Sequence, residues 1–250
     1  MAIGQTRGRN APGLEIRGLG VSYGGRAILD RLDLDLSGGE TTVLLGASGV
    51  GKSTLLRRIA GLLDGPGETR TDDGGALKGR AAFMAQSDLL LPWLTVAGNI
   101  ALGARLRGTR EEPDRIRQML DAVGLGGDAG KRPAQLSGGM RQRAALARTL
   151  MEDRPVVLMD EPFSAVDALT RLKLQDMALE LLAGRTVVMV THDPFEAIRM
   201  ADRIVVLAGE PARPALDLRP EGKRPRAPDS DAARALWRRI VDALGVAGTA

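Results

Sequence analysis

Apolar and polar positions alternate in some stretches of this chain and run unbroken in others, and the two patterns predict different strands. Leu14-Glu15-Ile16-Arg17 alternates, and Gly18–Tyr23 resumes the alternation beyond a glycine, so two short strands are predicted there. Ala27–Leu36 alternates more strictly, with Leu32, Leu34 and Leu36 on one face. Such one-sided strands make an antiparallel sheet, here a small one near the N-terminus. Thr42–Leu45, Arg80–Gln86, Pro155–Met159, Thr186–Val190 and Arg203–Leu207 are instead mostly continuous apolar runs, as strands buried on both faces are.

Helical patterns fall between these runs. A leucine-rich helix is predicted from Ser53 to Leu63 and another over Val96–Leu106. A third opens at Pro113, carries Ile116, Met119, Leu120 and Val123 on one face, and stops at Gly124. Ser137 suits the cap of a helix over Gly138–Met151, and residues 168–182 form a further helix. Strands alternating with helices give an α/β fold with a mostly parallel sheet. Residues 87–150 are predicted to be almost all helical, a subdomain inserted between core strands. Residues 1–12 are expected to be disordered and 64–79 to be a loop. Residues 209–230, rich in proline and charge, read as a linker or extended tail. Leu236, Trp237, Ile240, Val241 and Leu244 then form the apolar stripe of a C-terminal amphipathic helix between Ser230 and Gly245, expected to pack on its own domain.

Composition narrows this picture. With 250 residues the chain can bury a sizeable core. It has no cysteine, which excludes disulfides and thiolate metal sites and fits a reducing compartment. No apolar run approaches the roughly 18 residues of a membrane-spanning helix, and Met1–Asn10 lacks the apolar stretch of a secretory signal. A membrane role is therefore expected to come through a partner. The net charge of +4 comes from 35 basic and 31 acidic residues, well interspersed, and only 2% of residues are aromatic. That favours a mixed solvated surface over nucleic-acid binding.

Gly46-Ala47-Ser48-Gly49-Val50-Gly51-Lys52-Ser53-Thr54 fits the phosphate-cradling pattern G-x-x-x-x-G-K-[ST], and it lies between a predicted strand and a predicted helix, as the motif requires. The glycines let backbone N–H groups close around polyphosphate oxygens, and the helix start adds a positive dipole end. Lys52 can reach the β- and γ-phosphates, and the Ser53 hydroxyl can ligate Mg2+. The fold expectation becomes a phosphate-loop NTPase core with an N-terminal antiparallel β subdomain and an inserted α-helical subdomain.

Other candidates sit at strand ends. Asp160-Glu161 follows an apolar run, where open α/β sheets place ligand-binding groups. Asp160 suits the Mg2+ partner of a phosphate loop, and Glu161 suits a base for an attacking water. His192 is the single histidine, at the tip of a further strand. It is either structural or a hydrogen-bond donor to a γ-phosphate. Tyr23, the single tyrosine, is open to packing or to stacking on a base. Gly138-Gly139 after Ser137 is either a turn ending the preceding segment or an exposed helix N-terminus able to hold an anion.

Together, the phosphate loop, Leu136-Ser137-Gly138-Gly139-Met140-Arg141-Gln142-Arg143 and Val156-Val157-Leu158-Met159-Asp160-Glu161-Pro162 resemble the nucleotide-binding subunits of ABC transporters over about residues 14–208. The resemblance implies an ATPase domain over 13–208, followed by the tail at 209–250. It implies that Tyr23 stacks on adenine, that residues 46–54 hold ATP and that Gln86 senses Mg2+ and the attacking water. Asp160 then organises Mg2+, Glu161 is the catalytic base, and His192 is a switch histidine. Ser164-Ala165-Val166-Asp167 crosses to a partner subunit. The Ser137-Gly138-Gly139 tip of one subunit caps the γ-phosphate held by the other, so a homodimer completes two sites.

The resemblance further implies a peripheral position on the cytoplasmic face of the cell membrane. Integral permease subunits would dock at Leu89–Leu94, and an external solute-binding protein would complete the complex. Plain subdomain core is the alternative for that apolar patch. Leu91-Pro92-Trp93-Leu94-Thr95-Val96 with Asn99-Ile100, then Met140 and Asp167-Ala168-Leu169-Thr170-Arg171, resemble importers of nitrate, sulfonates, taurine and pyrimidine thiamine precursors. An exporter subunit and a non-transport ABC ATPase are the alternatives.

Overall fold

The computed structural model describes residues 11–110 and 112–245. Its strands are β1 (Leu14–Tyr23), β2 (Arg26–Leu36), β3 (Thr41–Gly46), β4 (Glu68–Thr71), β5 (Ala81–Met84), β6 (Val156–Asp160), β7 (Thr186–Thr191), β8 (Arg203–Ala208) and β9 (Arg213–Leu218). Its α-helices are α1 (Lys52–Ile59), α2 (Val96–Ile100), α3 (Leu102–Leu106), α4 (Pro113–Ala122), α5 (Gly138–Met151), α6 (Ala168–Leu181), α7 (Pro194–Met200) and α8 (Asp231–Gly245). Among the described residues, no helix is long and apolar enough to cross a membrane.

The chain divides into two compact units. The first, the sheet unit, holds residues 11–81, 155–161 and 184–245. Five strands of its large sheet run in the order β6-β7-β3-β8-β9. β6, β7, β3 and β8 are parallel, and β9 joins antiparallel at β8. Every residue of β3, β6 and β7 is buried, as their unbroken apolar runs require. A second sheet, β2-β1-β4, is antiparallel throughout. Leu32, Leu34 and Leu36 of β2 face inward, while Asp33 and Asp35 face outward.

The structure redraws several expected elements. Leu14–Tyr23 is one strand: Gly18, at φ +60°, sits at an irregularity in the β1–β2 register and bends the strand without ending it. α1 stops at Ile59 because Gly61 takes φ +70°, and the Leu62 N–H turns back to the Arg57 carbonyl at 2.9 Å. The expected loop 64–79 contains β4, whose Glu-Thr-Arg-Thr sequence gives no apolar signal. Residues 1–10 lie outside the description, but Ala11 is buried and the Pro12 carbonyl accepts from Thr186 Oγ1 at 2.7 Å, so 11–12 are part of the fold. The expected linker 209–230 contains β9. Its Arg224 and Arg226 are tied to the end of α7, so this stretch is packed chain.

The second, helical, unit comprises residues 82–154 and 162–183. It is wider than the expected 87–150 and takes in α6. The helix expected over Val96–Leu106 is two short helices, α2 and α3, separated at Ala101. α2 and α4 both pack on α5, which carries the unit's core through Ala144, Ala145, Leu146 and Ala147. Asn99, fully buried in α2, fixes the preceding loop: its Oδ1 accepts from the Leu91 N–H at 2.7 Å and its amide donates to the Leu91 carbonyl at 3.2 Å.

Candidate functional site

Three buried strands that are neighbours in the order β6-β7-β3 bring their carboxyl ends to one edge of the sheet unit. β3 ends in Gly46 and the phosphate-loop sequence, β6 in Asp160, and β7 in Thr191, next to His192. The loop passes into α1 through Gly51, at φ +107°. A Cβ on Gly51 would also stand 2.8 Å from Ile28 Cγ2, so glycine is required here by conformation and by space. The Lys52 ammonium donates to the Gly46 and Ala47 carbonyls, both at 2.8 Å. Lys52 is buried, and desolvation pulls its pKa down, opposed by the nearby charges of Glu161 and Asp160.

Ser53 Oγ donates to Asp160 Oδ1 at 2.8 Å, tying the start of α1 to the end of β6. Asp160 is 0% exposed, and its second carboxylate oxygen has no partner among the described residues. Burial pushes its pKa up, and the Ser53 hydrogen bond and the Arg57 charge counter this. A buried carboxylate with an unused oxygen beside a hydroxyl suits a hard divalent cation that takes its remaining ligands from water and phosphate. Among the described residues, no group of three or more His, Cys, Asp or Glu is arranged to hold a metal ion.

Glu161 takes φ +48°, a conformation that costs a glutamate of order 1 kcal/mol or more. Its N–H donates to the Val190 carbonyl of β7 at 2.9 Å, which holds the residue in that conformation. Its Oε1 stands 3.0 Å from His192 Nδ1. The Glu161 side chain is 14% exposed and that of His192 54%, so the pair spans from the sheet edge to solvent. Tyr23 is exposed at the tip of the β1–β2 hairpin, opposite Arg26. The start of β2 adjoins the phosphate loop: a cavity of about 160 Å3 is lined by Ile28, Gly49, Val50 and Gly209 among others.

The remaining candidates belong to the helical unit. Gln86 is exposed, two residues past β5. The chain after it is pinned to α5: Arg148 donates to the Asp88 and Leu89 carbonyls at 2.8 and 2.7 Å, and Arg141 Nε meets Asp88 Oδ2 at 3.0 Å. Ser137 is exposed and caps α5, its Oγ accepting from the Met140 N–H at 3.2 Å. Of the two readings of Gly138-Gly139, the structure has the helix start. Gln142 is buried in α5; its Nε2 donates to Ser164 Oγ at 3.2 Å and its Oε1 accepts from the Ala165 N–H at 2.8 Å. That fixes the turn before Asp167, which caps α6 by accepting from the Thr170 N–H at 3.0 Å. This hydrogen bonding holds the Asp167 carboxyl below its ordinary pKa.

A family model for the ABC transporter matches residues 29–164. The chain is 40% identical to the aliphatic sulfonates import ATP-binding protein SsuB 2 of Burkholderia cenocepacia, over 97% of this chain and 91% of that one. It is 42% identical to an uncharacterized ABC transporter ATP-binding protein of Haemophilus influenzae, over 85% of this chain and 90% of that one. This chain belongs to the ABC transporter family. Among solved structures, the ABC cassette resembles a dimeric ATP-binding cassette in a post-hydrolysis state bound to ADP and Pi, with TM-score 0.75 and 29% identity, over 84% of this chain and 100% of that one. The fold is that of a phosphate-loop NTPase, as the strand–loop–helix motif implied.

Three features of the ABC cassette site were not read from the sequence. The left-handed backbone of Glu161 has no pattern signal, because glutamate seldom takes it. The role of Gln142 in fixing the turn before Asp167 depends on contacts 22 and 23 residues away in sequence. The helix α7 directly after His192 is only seven residues long, though Asp193 and Pro194 form a legible start signal.

Proposed function

We propose that this chain is the ATP-hydrolysing subunit of an importer, coupling MgATP binding and hydrolysis in a head-to-tail dimer to solute movement through separate membrane subunits. The observation that carries the reading is the convergence at three neighbouring strand ends: a phosphate loop with its lysine and serine, a buried half-partnered aspartate, and a glutamate–histidine pair.

In this reading Lys52 and the N–H groups of residues 46–54 bind the phosphates, and Tyr23 stacks on adenine. Ser53, Asp160 and Gln86 hold Mg2+, which neutralises developing charge on the phosphates when bound. Glu161 orients a water and accepts its proton, and the ring of His192 donates to a γ-phosphate oxygen. Lys52 must release the Gly46 and Ala47 carbonyls to reach phosphate, an exchange of two neutral acceptors for a charged one. Ser137, Gly138 and Gly139 of a second copy complete the site, together with the turn that ends in Asp167. The dimeric cassette with ADP and Pi supports this assembly.

The solute class that fits best is the organosulfonate one among the nitrate, sulfonate, taurine and thiamine-precursor alternatives. Its support is the sulfonate-import naming of relatives at 40–45% identity, including the Xanthomonas axonopodis pv. citri protein at 45%. The complex also includes integral permease subunits and an external solute-binding protein, with the chain at the cytoplasmic face of the membrane. The exporter reading draws support from a bacterial Atm1-family ABC exporter with ATP bound, TM-score 0.73, but this chain spans only 42% of that one.

The test is Glu161→Gln. Hydrolysis is expected to fall about 100-fold or more while ATP binding persists, and the variant accumulates as an ATP-dependent dimer in size-exclusion chromatography. A Glu161→Gln chain that stays monomeric with ATP, or turns over at the parent rate, would overturn the reading.

A further inference from the structure

His192 is exposed and stands one residue past β7, so its ring is placed by the chain that follows. Asp193 turns that chain at once into α7: its N–H donates to Thr191 Oγ1 at 3.1 Å, and its Oδ1 accepts from the Phe195 N–H at 2.9 Å. One residue, Asp193, separates His192 from Pro194 at the start of α7, too few to absorb a tilt of that helix.

The C-terminal segment grips α7 at both ends. At the far end, Arg226 donates to the Ile198 and Ala201 carbonyls at 3.1 and 2.6 Å. Arg224 donates to the Met200 carbonyl at 3.1 Å and pairs with Asp202 at 2.9 Å. These are carbonyls a helix end leaves open. At the near end, the Trp237 ring of α8 stacks on the Phe195 ring, with centroids 6.3 Å apart and planes 21° apart. α8 is itself anchored, with Ser230 capping it at 3.1 Å and Ala233 and Ile240 buried on the Trp237 side. Phe195 is 47% exposed and Trp237 37%, so each ring shields a face the other would leave in water.

We propose that Trp237 is a positioning residue for ATP hydrolysis: through Phe195 and α7 it holds the His192 ring against Glu161. The proposal rests on the roles given above to His192 and Glu161. It assigns a function to the C-terminal helix, which lies outside the stretch matched by the family model.

The test uses the full chain and the fact that it has one histidine, so that isotope labelling of histidine gives a single imidazole in the NMR spectrum. Trp237→Ala is expected to shift the ring signals and to lower kcat for ATP about fivefold, with KM for ATP changing less than about twofold. Trp237→Phe keeps a ring on Phe195 and restores both readouts. In a His192→Ala background Trp237→Ala costs nothing more, because the group it acts through is gone. Phe195→Leu breaks the same stack from the other side and reports independently should Trp237→Ala not fold. If His192→Ala hydrolyses ATP at the parent rate, the site reading fails and the ring signals alone judge the coupling. If His192→Ala is slow, unmoved ring signals in Trp237→Ala, or an equal further loss in both backgrounds, would overturn the proposal.

Discussion

The carboxyl ends of β3, β6 and β7 and the C-terminal segment from β9 to α8 lie in one unit and are built on opposite principles. The strand ends rest on wholly buried apolar runs, and their polar groups are left partly unsatisfied: Asp160 Oδ2 has no partner among the described residues, and Glu161 holds a strained backbone. The C-terminal segment is rich in arginine, and its guanidinium groups are spent on backbone carbonyls and carboxylates. At the strand ends, apolar burial supports groups that are strained or left without a full set of partners. In the tail, hydrogen bonds supply the order that sparse apolar residues do not.

The sharpest way to break this contrast is Asp160→Asn. The change keeps the side chain's size and removes a buried charge that has no full set of partners. Hydrolysis is expected to fall about 100-fold or more, near 3 kcal/mol of barrier, when assayed with MgATP. The fold itself is expected to keep its stability or gain about 1 kcal/mol without cation, in urea denaturation. The sign follows from the raised pKa. The folded state holds this proton more tightly than the unfolded chain, so the carboxylate is a net cost once pH rises above the unfolded value near 3.9. An Asp160→Asn chain that loses several kcal/mol of stability would show that the aspartate is a structural anchor.

The same contrast decides what the sequence revealed. The strand ends were legible because unbroken apolar runs, a glycine-rich loop and Asp160-Glu161 each leave a local pattern. α5 was legible to the residue, since Ser137 caps it and Gly138–Met151 keeps helical spacing. The tail was not. β9 carries Pro214 and Asp217 and is an edge strand, where proline is tolerated and alternation is weak. Its order depends on Arg224 and Arg226 reaching carbonyls more than 20 residues away in sequence, a long-range contact that composition reads as a charged linker. β4, with no large apolar residue, failed for the related reason that its antiparallel pairing with β1, and not its own pattern, marks it as a strand.

Arg226→Ala sharpens the comparison from the tail's side. Its guanidinium donates to the carbonyls of Ile198, Ala201, Pro220 and Glu221, and desolvation already lowers its pKa. Removal leaves these acceptors to find water. The expected loss is about 2 kcal/mol in urea denaturation, less than the sum of four bonds because a desolvated charge is removed with them. A loss under about 0.5 kcal/mol would mean that the tail is ordered by α8 packing alone.

Asp217→Asn is the mildest break. Arg203 Nε and Nη2 meet the two Asp217 oxygens at 2.9 and 2.6 Å across the β8–β9 pair, and this contact holds the carboxyl below its ordinary pKa. Arg203 is mostly covered but nearly half of Asp217 is in solvent, so screening limits the pair to about 0.5–1 kcal/mol at pH 7. A depressed carboxylate pKa stabilises the fold above the unfolded value near 3.9, and that contribution fades as pH falls through the folded value. Thermal melts of Asp217→Asn and the parent should therefore differ at pH 7 and converge as the solution is acidified. Curves that stay parallel would place the contribution of Asp217 in its shape within the strand pair. The tail would then be held by packing, as the strand ends are, and the contrast between the two regions would narrow to the arginines that cap α7.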